Sequence, residues 1–456
     1  MNALKQYIDL YDSHADVIAA HAPQALNDLR PAAYAALRDA RLPRKGEEDY
    51  EGTDLESFFA PDYGVNINRQ DFDANPADIF NCDVPNLSSC LYFFGNDMFH
   101  PSRTARLHDD AGVVVESLAE AAVNHPDLLA RYYGKLANMA EPAVALNTLL
   151  AQDGLLIYVP DGAMPERTIQ VVNIFNASAP LLASRRVLIV AGRDARVRVL
   201  MCDHTQVSGV QYLSNQVVEI FAQPGSSVDY YDMEESSDDT RRVSSLYVEQ
   251  QQGSNVLVDG ITLLNGFTRN NYRVEVNGEH CETRLLGMTI ASGRQHVDSH
   301  TYISHNAPRC TSNEMFKYVL NEEAVGAFEG KIYVKEGCPR VEAYQGNRNI
   351  CGSPTARMYT KPQLEIYTDD VVCSHGATVG QIDEEALFYM RTRGIPQQEA
   401  RKLLMQAFVA DVIDGVRLDT LRDRLRYLVE KRFAGTLASC GACGAACAPR
   451  PNNKLS

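Results

Sequence analysis

From residue 153 to about residue 375 the chain is a succession of short β-branched runs, each closed by Gly, Asn, Asp or Pro: LLIYVP, TIQVVNIF, RRVLIVAG, RVRVLM, QVVEIFAQ, SVDYYDM, VSSLYVEQ, NVLVDGITLL, YRVEVNG, TRLLGMTIA, TYISHN, EMFKYVL, GKIYVKEG and LEIYTDD. Strand-length runs recurring roughly every 8 to 12 residues, with turn signals between them, define an all-β unit that is a sandwich, a barrel or a solenoid. About fourteen strands is large for one sandwich. The runs also lack the repeated Asn-Gly type turns of an antiparallel meander. Both points favour a solenoid, in which like side chains stack between turns and bury a continuous core, although no strict repeat motif is present.

This β unit, residues 151–378, has helical text on both sides. Residues 1–150 form an N-terminal helical and irregular region. There Leu26, Leu29, Ala33, Ala36 and Leu37 follow helical spacing, with Pro31 at a break or first turn. Residues 41–110 are irregular, with Gly, Pro and Asn between aromatic residues, and the Ala-rich run 112–150 is helical again. A C-terminal helical domain spans 379–435. Asp383 suits an N-cap, Glu384 and Glu385 put negative charge in the first turn, Leu387, Phe388 and Met390 give an apolar side, and Gly394 terminates the helix. Pro396 suits the first position of a second helix, with Ala400, Leu403, Leu404, Ala407 and Phe408 as its stripe, and a third helix carries Leu421, Leu425 and Leu428. Residues 436–456 are a Gly/Ala-rich flexible tail.

Charge and cysteine usage exclude several classes. Forty-three Lys and Arg against 59 Asp and Glu leave a net charge of −16, which repels phosphate backbones and argues against nucleic acid. No window approaches ~18 uninterrupted apolar residues, so no membrane span is expected. The start, MNALKQYIDLYDSHADVIAA, carries charges inside its short apolar run and lacks a signal-peptide pattern. Eleven mostly wide-spaced cysteines, an odd number, then read as free thiols in a reducing cytoplasm.

The junction of the β unit and the C-terminal helices reads YTDDVVCSHGA. Residues two apart in an extended segment face the same side, so Cys373 and His375 present a thiol group and an imidazole together. Both suit zinc, iron or an iron-sulfur cluster, yet two ligands do not complete a site. The alternative is a buried thiol beside a hydrogen-bonded histidine at a strand end. His280, His296, His300 and His305 share one stretch, but their spacing does not bring all four to one face. Asp369 and Asp370 are adjacent and face apart in a strand. Cys440, Cys443 and Cys447 resemble half of a metal motif on a tail that imposes little structure. No GxxxxGK[ST], GxSxG, HExxH or GxGxxG occurs, so nucleotide hydrolysis is not expected of this chain.

Residues 364–408, LEIYTDDVVCSHGATVGQIDEEALFYMRTRGIPQQEARKLLMQAF, closely resemble the SufB/SufD family, the scaffold subunits of the SUF iron-sulfur cluster assembly machinery. VCSHGATVGQIDEEALFY and RTRGIP carry the likeness. It extends more weakly through LNTLLAQDGLLIYVPDG, residues 146–162, and covers roughly residues 85–435. The Cys-Ser-His-Gly wording at 373–376 is similar to the SufD branch of the family rather than the SufB branch.

The resemblance implies a right-handed parallel β-helix between N- and C-terminal α-helical regions. It implies a complex with a SufB-like scaffold subunit and a SufC-like ABC ATPase, the latter supplying nucleotide hydrolysis, so this chain is a non-catalytic scaffold that binds no nucleotide. A transient iron-sulfur cluster at the interface with the SufB-like subunit would use His375 first and Cys373 second. Asp383, Glu384, Glu385, Phe388, Tyr389, Arg391, Arg393 and Gly394 would form the ATPase docking surface, against the simpler reading of core packing, which suits Leu387 and Leu403. A homodimer of the isolated chain stays open, as do cluster type and flavin involvement. The cysteine tail lies outside the family's core pattern and receives no role. Two rival functions remain: a β-helical polysaccharide-active enzyme, disfavoured by the absence of tryptophan for sugar stacking, and a zinc or thiol-redox protein using the tail.

Overall fold

A computed structural model describes residues 2–70, 89–100 and 112–437. Consecutive strands alternate between two sheets, and within each sheet almost every pairing is parallel. From Leu155–Val159 to Val371–Gly380, each strand pairs with the one 26 to 32 residues further on, as Leu246 does with Tyr272 and Glu329 with Lys361. The result is a parallel β-solenoid of about eight turns, each turn giving one strand to each sheet. Tight corners link the strands. Gly225 occupies one at φ +73°, where a Cβ would stand 2.0 Å from the Asp194 carboxylate, so only glycine fits.

The interior is stacked in rows. Ile157, Ile189, Ile220, Val248, Val274, Ile303, Ile332 and Leu364 occupy successive register positions of the first sheet, and all except the last are buried. Each buried aliphatic side chain contributes about 1.5 to 3 kcal/mol, and each contacts its own kind above and below, which is how a chain without a sequence repeat keeps register.

The outer faces are covered too. Leu146 and Leu149 of the helix Pro142–Leu150 pack on Leu182, Leu213 and Val243 of the first sheet, while Leu118 and Leu129 cover Leu156 and Leu188. On the second sheet, Met405, Val409 and Val412 of the helix Gln397–Gly415, with Leu421, Leu425 and Leu428 of Asp419–Phe433, cover Leu257, Leu286 and Met288. N- and C-terminal helices therefore clasp opposite sheets. Burial on both faces explains the near-continuous apolar text of the middle strands.

Some details differ from expectation. Ser89–Gly95, from the irregular stretch, joins the second sheet parallel to Thr168–Phe175. Val341–Cys351 is a full strand although its text, VEAYQGNRNIC, holds few β-branched residues. Pro396 stands at the N-cap rather than inside the helix. Leu403 is 39% exposed, so it is not a core residue; the buried stripe runs through Ala400, Met405, Val409 and Val412. Cys440, Cys443 and Cys447 lie outside the described residues. Among the described residues no helix is long and apolar enough to cross a membrane.

Candidate functional site: the open end of the solenoid

The last turn consists of Arg357–Ile366 in the first sheet and Val371–Gly380 in the second, and each pairs on one side only. Both strands lose the burial of their predecessors because neither terminal helix reaches their outer face. Tyr344, Tyr359, Ile366, Tyr367, Val372 and Val379 are exposed here. An unpaired ten-residue edge flanked by exposed aromatic and β-branched side chains is a template for another strand. The sequence reading missed these residues; their signal was faint, since apolar runs that look alike in text differ only in what covers them.

Cys373 and His375 lie on this edge, in the row that faces inward on the preceding turn. Cys373 pairs in register with buried Ala343, and His375 with buried Gln345. The two are therefore brought to one face as the spacing requires. Cys373 is half-buried against the end of the core, whereas His375 is exposed. Burial pushes the Cys373 thiol above its usual range, so it stands as a thiol rather than a thiolate.

Behind His375 the inward row is polar. The Gln345 amide donates to Glu314 Oε2 at 2.9 Å, and the Thr301 hydroxyl donates to Glu314 Oε1. Among the described residues Gln345 Oε1 has no partner. Burial pushes the Glu314 carboxyl up to about 7.

The helix Glu384–Thr392 follows directly. The Asp383 side chain caps it, accepting from the amides of Glu385 and Ala386 at 2.9 and 3.0 Å. Leu387 is buried and anchors the helix, while Phe388 and Tyr389 are 68% and 58% exposed. Arg393 donates to the Tyr389 hydroxyl at 3.0 Å and lies 5.1 Å from its ring centroid. Gly394, at φ +86°, ends the helix, and Glu384, Glu385 and Arg391 are exposed. Two large exposed rings thus stand beside the exposed charges of Glu384, Glu385, Arg391 and Arg393.

The four histidines of the middle stretch do not gather. His280 is exposed in a corner, His296 bonds Thr53 at 2.8 Å, His300 faces Asp49 and His305 bonds Ser312 at 2.9 Å. Asp369 and Asp370 sit exposed in the turn before the last strand.

Comparison with known proteins agrees with the geometry. The family described as SUF system FeS cluster assembly, SufBD core domain, matches residues 173–408, and the SufBD protein N-terminal region matches residues 1–171. An iron-sulfur cluster assembly SufBD family protein of Synechocystis is 29% identical over 89% of this chain and 91% of its own length. The iron-sulfur cluster assembly protein SufD of Escherichia coli is 35% identical over 37% of this chain and 40% of its own length. That of Bacillus subtilis is 26% identical over 77% and 80%. A solenoid that ends in an open turn bearing Cys-Ser-His-Gly, and whose length is matched by both domains, belongs to the SufB/SufD family of iron-sulfur cluster assembly proteins and is SufD-like within it.

Proposed function

We propose that this chain is a non-catalytic scaffold subunit of the SUF system in the cytoplasm, and that a labile iron-sulfur cluster is built where its open end meets a SufB-like subunit. The observation that carries this reading is the exposed His375 beside half-buried Cys373 on an unpaired edge strand. Clusters are usually held by four protein ligands, so two ligands on an edge that invites a second chain form half a site. A site shared between chains opens when the chains move, which is what a scaffold that releases its cargo needs. His375 leads because it is exposed; Cys373 ligates only once iron displaces its proton.

The movement would come from a SufC-like ATPase seated on the helix Glu384–Thr392, through Phe388 and Tyr389 with Asp383, Glu384, Glu385, Arg391, Arg393 and Gly394 around them. Without a SufB-like partner, the same unpaired edges would pair two copies of this chain.

The test is co-expression with a SufB-like subunit and a SufC-like ATPase, followed by anaerobic reconstitution. His375→Ala should leave the complex assembled and lower cluster absorbance by about tenfold or more, in line with loss of an exposed ligand at small cost in stability. Failure of either partner to co-purify, or a His375→Ala complex that loads normally, sinks the reading.

A further inference from the structure

Residues 49–53 cross the outer face of the first sheet and are pinned there by Arg269. Its guanidinium pairs with Asp298 at 2.6 Å, donates to the Asp49 carbonyl at 3.0 Å and stacks over the Tyr50 ring at 4.4 Å. Thr53 adds hydrogen bonds to His296 and Asp298. Asp49 takes φ +64°, a left-handed conformation that Asp tolerates better than most residues. Its carboxylate is thereby held over the register row His300, Glu329 and Lys361.

Asp49, His300 and Glu329 each offer one ligand atom, and these atoms lie within 4.8 Å of one another. His300 Nε2 is 4.0 Å from Asp49 Oδ2. Glu329 is 6% exposed, and its two oxygens differ: Oε1 receives Lys361 at 2.8 Å and Gln363 at 3.1 Å, while Oε2 has no hydrogen-bond donor among the described residues, and burial together with the Asp49 carboxylate pushes the Glu329 carboxyl up to about 7. Two carboxyl groups set against each other in a buried site favour a cation between them, since either a proton or a metal ion must offset their charge. Asp49 lines two clefts, one of about 450 Å³ shared with His300 and one of about 280 Å³ shared with Glu329, so a hydrated ion can reach the group.

We propose that Asp49, His300 and Glu329 bind a divalent first-row transition-metal ion. Two carboxylate oxygens and one imidazole nitrogen suit Mn(II), Fe(II) or Zn(II) and disfavour soft Cu(I). Three ligands at ~2.1 Å from one ion stand ~3.0 to 3.6 Å apart, so side-chain adjustments of roughly an ångström close the set. Three protein ligands leave open positions, which fits exchange better than permanent structural binding. The neighbouring cations are already engaged: Arg269 with Asp298, and Lys331 with Glu365 at 2.9 Å. Lys361, shared between Glu329 and Glu51, is the one that lowers the negative charge of the site. The site lies on the outer face of the first sheet, whereas His375 belongs to the second, so it stands independently of the cluster reading.

The test is titration of the chelator-treated full chain with MnCl₂, reading free Mn(II) by its EPR signal. Mn(II) has little affinity for thiols, so the cysteines do not obscure the result. One saturable site is expected. Asp49→Asn keeps the carbonyl that Arg269 holds and should weaken binding by roughly tenfold or more. Glu329→Gln should do the same, and Lys361→Met should tighten binding several-fold, roughly as removal of a nearby like charge does. His375→Ala should leave binding unchanged. The proposal is overturned by absence of saturable uptake in the wild type, by Asp49→Asn binding as the wild type does with an unaltered thermal midpoint, or by loss of binding in His375→Ala.

Discussion

The ammonium of Lys317, on the strand Thr311–Leu320, lies 2.6 Å from the carboxylate of Asp411 on the helix Gln397–Gly415. It also donates to the Phe408 carbonyl at 2.6 Å and sits 4.9 Å over the Phe408 ring. Sheet and helix are joined here by one buried cation, whose side chain is 3% exposed against 54% for Asp411. This contact ties the C-terminal helices to the solenoid two turns from its open end, beside the apolar layer of Met405, Val409 and Val412.

The asymmetry of burial makes the two partners unequal. Lys317→Met keeps the packing volume and loses both hydrogen bonds, at a cost of about 2 kcal/mol. Asp411→Ala leaves the Phe408 carbonyl to hold the ammonium and should cost less than about 1 kcal/mol. Hydrogen exchange reads the difference: residues 397–415 should exchange faster in Lys317→Met and little faster in Asp411→Ala. Equal effects of the two would remove Lys317 as the clamp.

Phe388 and Tyr389 should contribute little to folding and much to binding. Both are more than half exposed, so Phe388→Ala with Tyr389→Ala should move the thermal midpoint little. Aromatic anchors at interface centres are worth about 2 kcal/mol or more each, so retention by a SufC-like ATPase should fall about thirtyfold for one ring and several hundredfold for both. Leu387→Ala, by contrast, should unseat the helix and lower stability by about 2 to 5 kcal/mol. A double variant that binds the ATPase normally would show that the partner docks elsewhere.

The stacking of Ile157 through Leu364 was foreshadowed by recurring β-branched runs, and NVLVDGITLL coincides with the strand Asn255–Leu264. The strand Val341–Cys351 was hidden because its inward row carries Gln345, Asn347 and Asn349, polar side chains stabilised by neighbours on adjacent turns and by one another. Cys373 and His375 were legible because a two-residue spacing fixes their common face on any strand. What surrounds them was not: that Gln345 lies in register with His375, and that among the described residues no helix covers the last turn, follow from long-range register. The Asp49 group joins residues about 250 to 280 positions apart, and local text holds no trace of it.

Inside the solenoid, Arg242 bridges two carboxylates, Asp203 at 2.8 Å and Asp232 at 2.5 Å, and donates to Asn270 at 2.7 Å. All three charged groups are at most 5% exposed. Arg242→Met removes the cation and leaves Asp232 buried without one, whereas Asp203 keeps Arg185 at 3.1 Å, and the loss should cost about 3 to 5 kcal/mol. Adding Asp232→Asn, with Asp203 left to pair Arg185, should recover a large part, because the cost lies in the uncompensated charge rather than in the lost contact. Urea unfolding midpoints measure both steps. A double variant as unstable as Arg242→Met would mean that packing, not charge, sets the penalty.

Glu314 makes stability depend on pH in a definite direction. Burial raises its carboxyl from 4.5 to about 7, so the folded chain holds a proton that the unfolded chain has released. Between about pH 4.5 and 7 the folded state therefore binds more protons, and stability falls as pH rises, with the loss complete above about 7; at full effect it amounts to about 3 kcal/mol. Glu314→Gln removes the titration. Its amide can accept from Gln345 while its NH₂ donates to the Thr301 hydroxyl, so the network survives. Near pH 5 the variant and the wild type should differ by less than about 1 kcal/mol, whereas at pH 8 the variant should be the more stable by about 2 to 3 kcal/mol. Asp259 and Glu234 are also raised to about 7 by burial and keep titrating in both chains, so the difference between the two unfolding curves isolates Glu314. If that difference is the same at pH 5 and pH 8, the carboxyl is ionised in the folded chain and the polar row behind His375 carries a charge.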